Sequence, residues 1–413
     1  MESGSIITGD IVLEADSSGS GNSLSITNND TAAVSVDGNL VANNSTSLTF
    51  AGQTTTFSGN ASFDGTALSF VGSGDNVGGL ATNGTITFSN GSTVSVVTPG
   101  EWTQKDYKLL YADATAGISG FTSSMATITN PLLTAGAVDF TGVSRTDNKT
   151  LTYGLRWFDE TGKGMGEFNL KSGATLKLAL SLEDNAFAGN NWDGISLTKS
   201  GEGELILADQ NTYTGTTTVS DGMLTLATTN AIAGSSGVTV ESDLLNSTRG
   251  ILNLSGNSQV LNSLVNNGTL LINDYGANVL TSPVTVTGSM MLEQNGLVVL
   301  NNGATNAGQV WIQDGDWNGN GGTVSLGTVL GDDSSKTDKL QITGKATGKT
   351  YVSVTNEGGS GAQTVEGIEV ITTGASDADA FIQSGRITAG VYEYSLVQGG
   401  NGGNQNNWYL TSL

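Results

Sequence analysis

The chain has 413 residues, carries 15 Lys and Arg against 38 Asp and Glu, and contains neither cysteine nor histidine. The missing residue types exclude disulfides, a thiolate nucleophile, a Ser-His-Asp triad and an ordinary zinc site, so we expect no cofactor and no metal centre. The net charge of −23 argues against nucleic acid as a partner, because phosphate binding needs clustered Lys and Arg.

Residues 1–99 are predicted to form the first coils of a solenoid. Three short apolar stretches carry Phe50, Phe70 and Phe88, at spacings of 20 and 18 residues. Residues that recur at such a period return to one face of each coil, so we expect these rings to stack in the interior. Coincidence within a low-complexity stretch is the alternative.

Residues 100–196 break this rhythm and are rich in aromatic side chains, and residues 105–199 hold nine of the 15 basic residues. Loops or inserted elements that leave a regular solenoid often carry function. A locally wider section filled by bulky side chains is the alternative, and short helices are predicted at residues 101–116 and 180–188. The candidates for a basic patch are Lys105, Lys108, Arg145, Lys149, Arg156 and Lys163.

One phrase recurs six times within residues 197–323, namely a glycine followed by apolar residues at the second and fourth positions. Apolar residues two apart mark one face of a strand, and a period near 20 returns that strand once per coil. We therefore predict an all-β fold, a right-handed parallel β-helix with the apolar pairs stacked inside. The copies begin at Gly203, Gly222, Gly250, Gly268, Gly288 and Gly308.

Residues 324–413 change character again, with wider strands and more charged residues. Strands are predicted at residues 351–355, 368–372, 392–397 and 408–413. The open end of a solenoid exposes an unpaired edge that invites aggregation, so we interpret this segment as a C-terminal cap.

Two polar columns flank the repeated strands, one immediately before each glycine and one six residues after it. Stacked strands lie about 4.8 Å apart, so equivalent positions would line a linear groove suited to an extended polysaccharide. Ordinary solvation of strand ends is the alternative. The candidate ligand-binding residues are Asp209, Asp221, Arg249, Asn267, Asp274, Gln294 and Asp314.

The residue between the two apolar positions of each phrase predicts an outward stripe, either a contact surface or a stripe beneath a covering loop. Asp314, Asp316 and Asn318 also resemble the start of a calcium loop, but Ser325 stands where a bidentate Glu is required, so a glycine turn is favoured. The outward residues are Ile206, Thr225, Asn253, Leu271, Met291 and Trp311.

Residues 197–226, centred on the sequence Asn-Thr-Tyr-Thr-Gly at 211–215, closely resemble the autotransporter-associated repeat of bacterial type V secretion passengers. Residues 337–412 are similar to the pertactin-like C-terminal module, which in that family caps the β-helix and assists folding after export. The resemblance implies an adhesin of the AIDA type, UpaB-like proteins among them. The protease branch is disfavoured because it requires a histidine. The family's membrane β-barrel is not seen, so no membrane insertion by this fragment is expected.

The predicted function is a non-catalytic adhesin, on the bacterial surface or secreted, that binds host extracellular-matrix glycoproteins or glycosaminoglycan-type polysaccharides along the rod. Self-association in cell aggregation and biofilm is one alternative. A polysaccharide lyase or hydrolase using Asp314 and Asp316 is less favoured. A charge of −23 repels sulfated chains within a Debye length of about 8 Å, so such binding would have to use local bases, shape and hydrogen bonds, or bridging cations. The basic residues of 105–199 are the favoured local bases.

Overall fold

The computed structural model divides into two compact units, Met1–Met165 with Ala186–Asn191, and Gly166–Asn185 with Trp192–Leu413. Each unit is described by itself. The four-part division into residues 1–99, 100–196, 197–323 and 324–413 stays a prediction. The structure describes residues 6–28, 34–73, 76–77, 79–97, 101–102, 112–129, 139–143, 148–159, 164–186, 189, 191–300, 303 and 307–412.

In the first unit, the described strands form coils of three short strands each. The first three coils contain β1 (Ile6–Thr8), β2 (Ile11–Leu13), β3 (Ser23–Asn28), β4 (Val34–Asp37), β5 (Leu40–Asn43), β6 (Ser47–Gly52), β7 (Thr55–Phe57), β8 (Ala61–Asp64) and β9 (Ala67–Ser73). The next segments are β10 (Asn76–Val77), β11 (Leu80–Thr82), β12 (Ile86–Ser89), β13 (Thr93–Val97), β14 (Glu101–Trp102), β15 (Ala112–Ala114), β16 (Ile118–Ser119) and β17 (Ala126–Thr129).

Equivalent strands of successive coils pair in parallel, which builds one sheet on each of three sides. Phe50 and Phe70 are register partners, and their ring centroids stack 5.3 Å apart, as predicted. The prediction is wrong for Phe88, which lies on β12 in a different sheet and packs 5.4 Å from Phe63. A coil of about 25 residues at this point shifts Phe88 to another side, which the apparent period of 18 concealed.

The parallel order of this unit ends in antiparallel pairing. Strand β18 (Asp139–Val143) pairs with β19 (Thr150–Leu155), and β19 pairs with β15. Two single 3₁₀ turns, Ser123–Met125 and Arg156–Phe158, are the helical segments of the described residues. The helix predicted at 101–116 is wrong where it is described, because its two ends are strands β14 and β15.

The second unit is a taller stack of coils, whose strands lengthen along the chain. They are β20 (Glu167–Asn169), β21 (Thr175–Leu178), β22 (Leu197–Ser200), β23 (Glu204–Leu207), β24 (Thr216–Val219), β25 (Gly222–Leu226), β26 (Gly237–Val240), β27 (Ser242–Asp243), β28 (Thr248–Asn253), β29 (Gln259–Asn266), β30 (Thr269–Leu271), β31 (Val284–Leu292), β32 (Leu297–Val299), β33 (Val310–Asp314), β34 (Trp317–Thr328), β35 (Lys339–Asn356), β36 (Ile368–Ser376), β37 (Phe381–Gln383), β38 (Ile387–Ala389), β39 (Tyr392–Gln398) and β40 (Trp408–Ser412).

Three faces follow from the pairing in the described part of this unit. Face 1 contains β20, β22, β24 and β26 and continues through the C-terminal halves of β29 and β31. Face 2 contains β21, β23, β25, β28, β30 and β32. Face 3 begins at Gln259, where β29, β31, β33 and β35 pair in turn. The predicted parallel β-helix is confirmed.

The core of face 2 is the ladder that the repeated phrase predicts. Leu205, Leu224, Leu252 and Leu270 are consecutive register partners, and all four are fully buried. Burying each such side chain contributes about 1.5–3 kcal/mol before the entropy of ordering the chain is subtracted. The stacked leucines therefore fix which residue of each coil faces inward.

Two copies of the phrase do not belong to this ladder. The copy at Gly288 lies on face 1, where Met290 pairs with Leu264, and the partner of Leu270 is instead Val298. The copy at Gly308 has the opposite orientation: Trp311 is fully buried and packs between Val284 and Leu340. The outward position predicted for Trp311 is wrong. Leu271 keeps the outward register of Asn253 and Val299, but it is fully buried, which agrees with the alternative of a covered stripe.

The helix predicted at residues 180–188 is also wrong where the structure describes it. Leu180 and Leu182 are buried and Ser181 between them is not, which is the alternation of an extended chain. The Asn211 side chain of the next coil accepts a hydrogen bond from the Leu182 amide at 2.9 Å. This partner in the neighbouring coil replaces the local hydrogen bonds that a helix would need.

The C-terminal section closes the stack with antiparallel pairing of β36, β39 and β40. All four strands predicted in the tail lie within β35, β36, β39 and β40, the last being described to Ser412. An aromatic column runs through these final coils from Trp311 to Trp317, Phe381 and Trp408, with ring centroids 5.5, 6.4 and 5.5 Å apart. The predicted capping section is confirmed.

Candidate functional site

The predicted groove residues of the second unit lie at three different corners of the coils. The first corner joins face 1 to face 2, the second leaves face 2, and the third joins face 3 to face 1. Asp221, Arg249, Asn267 and Gln294 lie at the first corner, Asp209 and Asp274 at the second, and Asp314 at the third. The structure therefore does not bring the seven residues into one groove, because the copies at Gly288 and Gly308 follow other faces.

The first corner is held together by hydrogen bonds between coils. Asp221 accepts the backbone N–H of Arg249 at 3.2 Å, and Asn267 accepts that of Asn295 at 3.2 Å. The guanidinium of Arg249 donates to the Thr269 hydroxyl at 2.7 Å and to the carbonyl oxygens of Gly268 and Asn295 at 2.9 Å each. Burial lowers the pKa of Arg249. Gln294 is exposed at this corner.

The acids of the other two corners are engaged in the same way. Asp274 accepts the Asn253 amide at 2.7 Å and the Ser255 hydroxyl at 3.0 Å. Asp314 accepts the Thr343 hydroxyl at 3.0 Å, and Asp316 accepts the Lys345 backbone N–H at 2.8 Å. Asp209 is exposed and accepts the N–H of Gln210 at 2.7 Å. The hydrogen bond of Asp209 is local, whereas those of Asp274, Asp314 and Asp316 fix one coil on the next.

Asp338, also at the second corner, was not singled out from the sequence, yet it is almost fully buried. Its carboxylate accepts the backbone N–H groups of Gly308 and Gln309 at 2.8 Å each and that of Gly327 at 2.7 Å. Burial raises the pKa of Asp338, although the three N–H donors favour the charged form. The side chain joins three segments of backbone in two coils.

Lys199 is a second residue that the sequence did not reveal, because its side chain points into the core of face 1 in register with Phe168 and Val219. It is fully buried, and its ammonium donates to the carbonyl oxygens of Ser200, Gly201 and Asp221 at 2.9, 2.7 and 3.0 Å. Burial lowers the pKa of Lys199 to about 8. The three donors of the ammonium match three main-chain acceptors.

The basic patch is only partly within the described residues. Lys105, Lys108, Arg145 and Lys163 lie outside them. Lys149 is exposed immediately before β19, and half-buried Arg156 follows that strand. A strand of this length separates the two Cα atoms by roughly 20 Å, so these two residues alone do not form a cluster.

Face 1 of the second unit carries a different kind of surface. From Thr198 onward its outward register partners are Thr218, Thr239, Val265, Met291, Asn318 and Thr347, and none of these seven residues is charged. The exposed Glu167 precedes Thr198 in the same register. Ser263 and Ser289 form a neighbouring outward pair. Within the described chain, the side-chain oxygens of Thr198, Thr218, Thr239, Ser263 and Ser289 make no hydrogen bond. The alternation of apolar residues and threonine in segments such as 238–240 was the sequence signal for this surface.

A shallow depression of about 340 Å³ lies at the C-terminal end of this row. Val265 and Met291 supply apolar surface, and Asp316, Asn318 and Lys345 supply polar groups. Among the described residues, no group of three or more acids is arranged to hold a metal ion, and no helix has the length and apolarity needed to cross a membrane. The chemistry available on face 1 is therefore hydrogen bonding and apolar contact.

Three protein-family models match the chain: the VirG insertion domain at residues 96–156, the passenger-associated transport repeat at 197–227, and the type 1 autochaperone domain at 287–396. The first of these overlaps the irregular section, and the last overlaps the C-terminal cap.

Similar proteins include the uncharacterized protein YuaQ of Escherichia coli K12, 37% identical over 226 residues, which are 54% of this chain and 14% of the relative. The autotransporter adhesin AIDA-I of Escherichia coli is 45% identical over 94 residues, 22% of this chain and 7% of the relative. The adhesin BmaC autotransporter of Brucella suis biovar 1 (strain 1330) is 30% identical over 257 residues, 60% and 6% respectively. The chain thus spans a small part of each relative's length.

Proposed function

Because this chain is an autotransporter passenger region, located at the bacterial surface or outside it, we propose that it is a non-catalytic adhesin that binds host extracellular-matrix glycoproteins or glycosaminoglycan-type polysaccharides. Two of its relatives carry the word adhesin in their names. The observation that carries the proposal is the in-register stack of coils, which repeats equivalent side chains along one direction at the spacing of paired strands, about 4.8 Å. A repeated site of this kind suits an extended polymer.

The non-catalytic part of the proposal rests on what the acids contact. The lyase or hydrolase alternative uses Asp314 and Asp316, but each carboxylate accepts a hydrogen bond from the next coil, Asp314 from Thr343 and Asp316 from the Lys345 amide. A general acid or base must reach the proton of a substrate. We expect no cleavage when the protein is incubated with a panel of glycans, and cleavage that is lost in D316N would reject the adhesin proposal.

Binding to matrix proteins and sulfated glycans is measured on immobilised arrays with the purified chain. If the basic residues near β19 contribute, Lys149→Glu with Arg156→Glu lowers the affinity for sulfated chains, and added NaCl does the same. Lys336→Glu with Lys349→Glu on the second unit is the control, because it makes the same charge change at two exposed residues outside the predicted basic patch. Failure of every matrix protein and sulfated glycan to bind would contradict the proposal.

Self-association in cell aggregation is the second candidate function, and the uncharged row on face 1 favours it. A surface without charge avoids the repulsion that a chain of net charge −23 otherwise meets when two copies approach. Sedimentation at increasing protein concentration tests it, since a monomer at every concentration would reject this candidate.

A further inference from the structure

The polar side chains of the second unit fall into two groups that differ in what they contact. At the corners, Asp221, Arg249 and Asp274 are engaged by neighbouring coils. On face 1, the hydroxyl groups of Thr218 and Thr239 have no partner within the described chain, although both residues are in register on adjacent strands. A group that is already hydrogen-bonded inside the protein has little left to offer a ligand, whereas these hydroxyls do.

We propose that the row from Thr198 to Thr347 on face 1 is a binding surface for an uncharged, extended, β-linked polysaccharide. This inference rests on the proposed adhesive function and names a ligand class distinct from the sulfated chains considered above. It is carried by the absence of charge within the row itself, by the unpartnered hydroxyls, and by the depression at one end, whose lining combines apolar and polar side chains.

Charge decides against an anionic polymer on this face. Residues 198–347, the segment that contains the row, carry 13 acids against five bases, so the surroundings of the row have a net negative charge. A sulfated or uronic chain would lie within a Debye length of those acids, about 8 Å at physiological ionic strength, and would be repelled. A neutral sugar chain carries no such penalty, and its hydroxyls both donate to and accept from threonine hydroxyls.

Spacing supports the same ligand. Successive members of the row are separated by one strand spacing, about 4.8 Å, and an extended β-1,4-linked chain advances by roughly 5 Å per sugar. One sugar per coil therefore keeps the same register from Thr198 through Thr218 to Thr239.

The depression at the C-terminal end of the row is where we place one end of the bound polysaccharide. The apolar side chains of Val265 and Met291 offer contact for the C–H face of a sugar ring, while Ser289 and Asn318 line the same depression and offer polar groups to the ring hydroxyls. Ligand sites commonly combine apolar lining with a few directional polar groups. Lys345 at the same edge is held by Asp377 through an ion pair at 2.9 Å, so its charge is compensated.

The test titrates the purified chain with hexasaccharides of β-1,4-linked glucose, N-acetylglucosamine and xylose, and follows heat or tryptophan fluorescence. At least one hexasaccharide is expected to bind with an affinity that does not change as NaCl is raised. The double variant Thr218→Val with Thr239→Val removes two hydroxyls and keeps the β-branched shape, and should weaken binding about 5- to 30-fold. Thr323→Val is the matched control, because Thr323 is half-buried on a strand of face 2, and it should leave affinity unchanged.

Three results would overturn the inference: no hexasaccharide binds, the double variant binds as tightly as the parent, or the double variant alters only self-association in sedimentation. The last result would make face 1 a contact between copies. If the protein binds a neutral glycan but no matrix protein or sulfated glycan, the proposed host ligands are contradicted and this inference is not. If it binds a matrix protein or sulfated glycan but no neutral glycan, only this inference is contradicted.

Discussion

The corners and face 1 of the second unit use similar polar residues for opposite purposes. At a corner, the chain leaves one strand and begins another, so its backbone N–H and C=O groups are not paired within a regular ladder, and side chains such as Asp338 and Arg249 satisfy them. On face 1, parallel pairing already satisfies the backbone, so the threonine side chains are left for solvent or a ligand. The comparison shows that a polar column in a solenoid acquires its role from the backbone beneath it.

The largest effect is expected for Asp338. Asp338→Ala leaves two buried N–H groups and one half-buried N–H group without an acceptor, each worth about 1–3 kcal/mol, and should lower the free energy of unfolding of the second unit by about 3–5 kcal/mol. Urea unfolding followed by tryptophan fluorescence measures it. Asp332→Ala, an exposed acid of the same loop, is the control and should change stability by less than about 1 kcal/mol. Equal effects of the two variants would mean that the corner acids do not hold coils together.

The second expected effect depends on pH. Because the pKa of Lys199 falls from 10.5 to about 8 on folding, both states hold the proton below pH 8, and above it the unfolded chain holds more protons than the folded chain. The free energy of unfolding should therefore rise between about pH 8 and pH 10, by about 2 kcal/mol. Above this window, buried Tyr213, whose pKa is raised by burial, acts in the opposite direction.

Lys199→Met removes this titration, so the difference between parent and variant isolates it. Urea unfolding at several pH values should give a flat profile for the variant between pH 8 and 10, once its lower baseline stability is subtracted. A rise of the same size in both proteins would show that Lys199 is not the titrating group.

A smaller effect is expected in the first unit, at the turns where each coil passes from its first strand to its second. Asn39 and Asn60 form a ladder in which Asn39 accepts the Asn60 backbone N–H at 2.7 Å and Asn60 accepts that of Thr85 at 2.8 Å. Asn60→Ala should destabilise this unit by about 1 kcal/mol, since the freed N–H is near water. Asn60→Asp keeps the acceptor oxygen and should retain most of the stability. If both variants lose the same amount, the ladder is not the cause.

The sequence predicted the interior well where one residue type repeats in register, as Leu205, Leu224, Leu252 and Leu270 do. It assigned the copies at Gly288 and Gly308 to the wrong face, because any strand with inward apolar residues after a glycine satisfies the phrase. The coil lengths alone do not show which face a strand joins. Gly296 fits the phrase equally well and leads into Val298, the true successor of Leu270.

The candidate site was harder to predict. Whether Asp221 or Asp274 binds a ligand depends on hydrogen bonds to residues 20 to 30 positions away, which the sequence does not show. Lys199 looked like an ordinary surface base, since its partners are main-chain carbonyl oxygens with no sequence signature. The threonines of face 1 did show their alternation with apolar residues, but polar alternation also fits a solvated face.

The smallest effect on stability is expected on face 1, and comparing it with a corner tests the central claim most directly. Urea unfolding is measured for Asp221→Ala with Arg249→Met and for Thr218→Val with Thr239→Val. The corner pair should lose about 2–4 kcal/mol, because carbonyl oxygens and N–H groups lose their partners, while the face 1 pair should stay within about 0.5 kcal/mol of the parent. A face 1 pair that is destabilised as much as the corner pair would contradict the account.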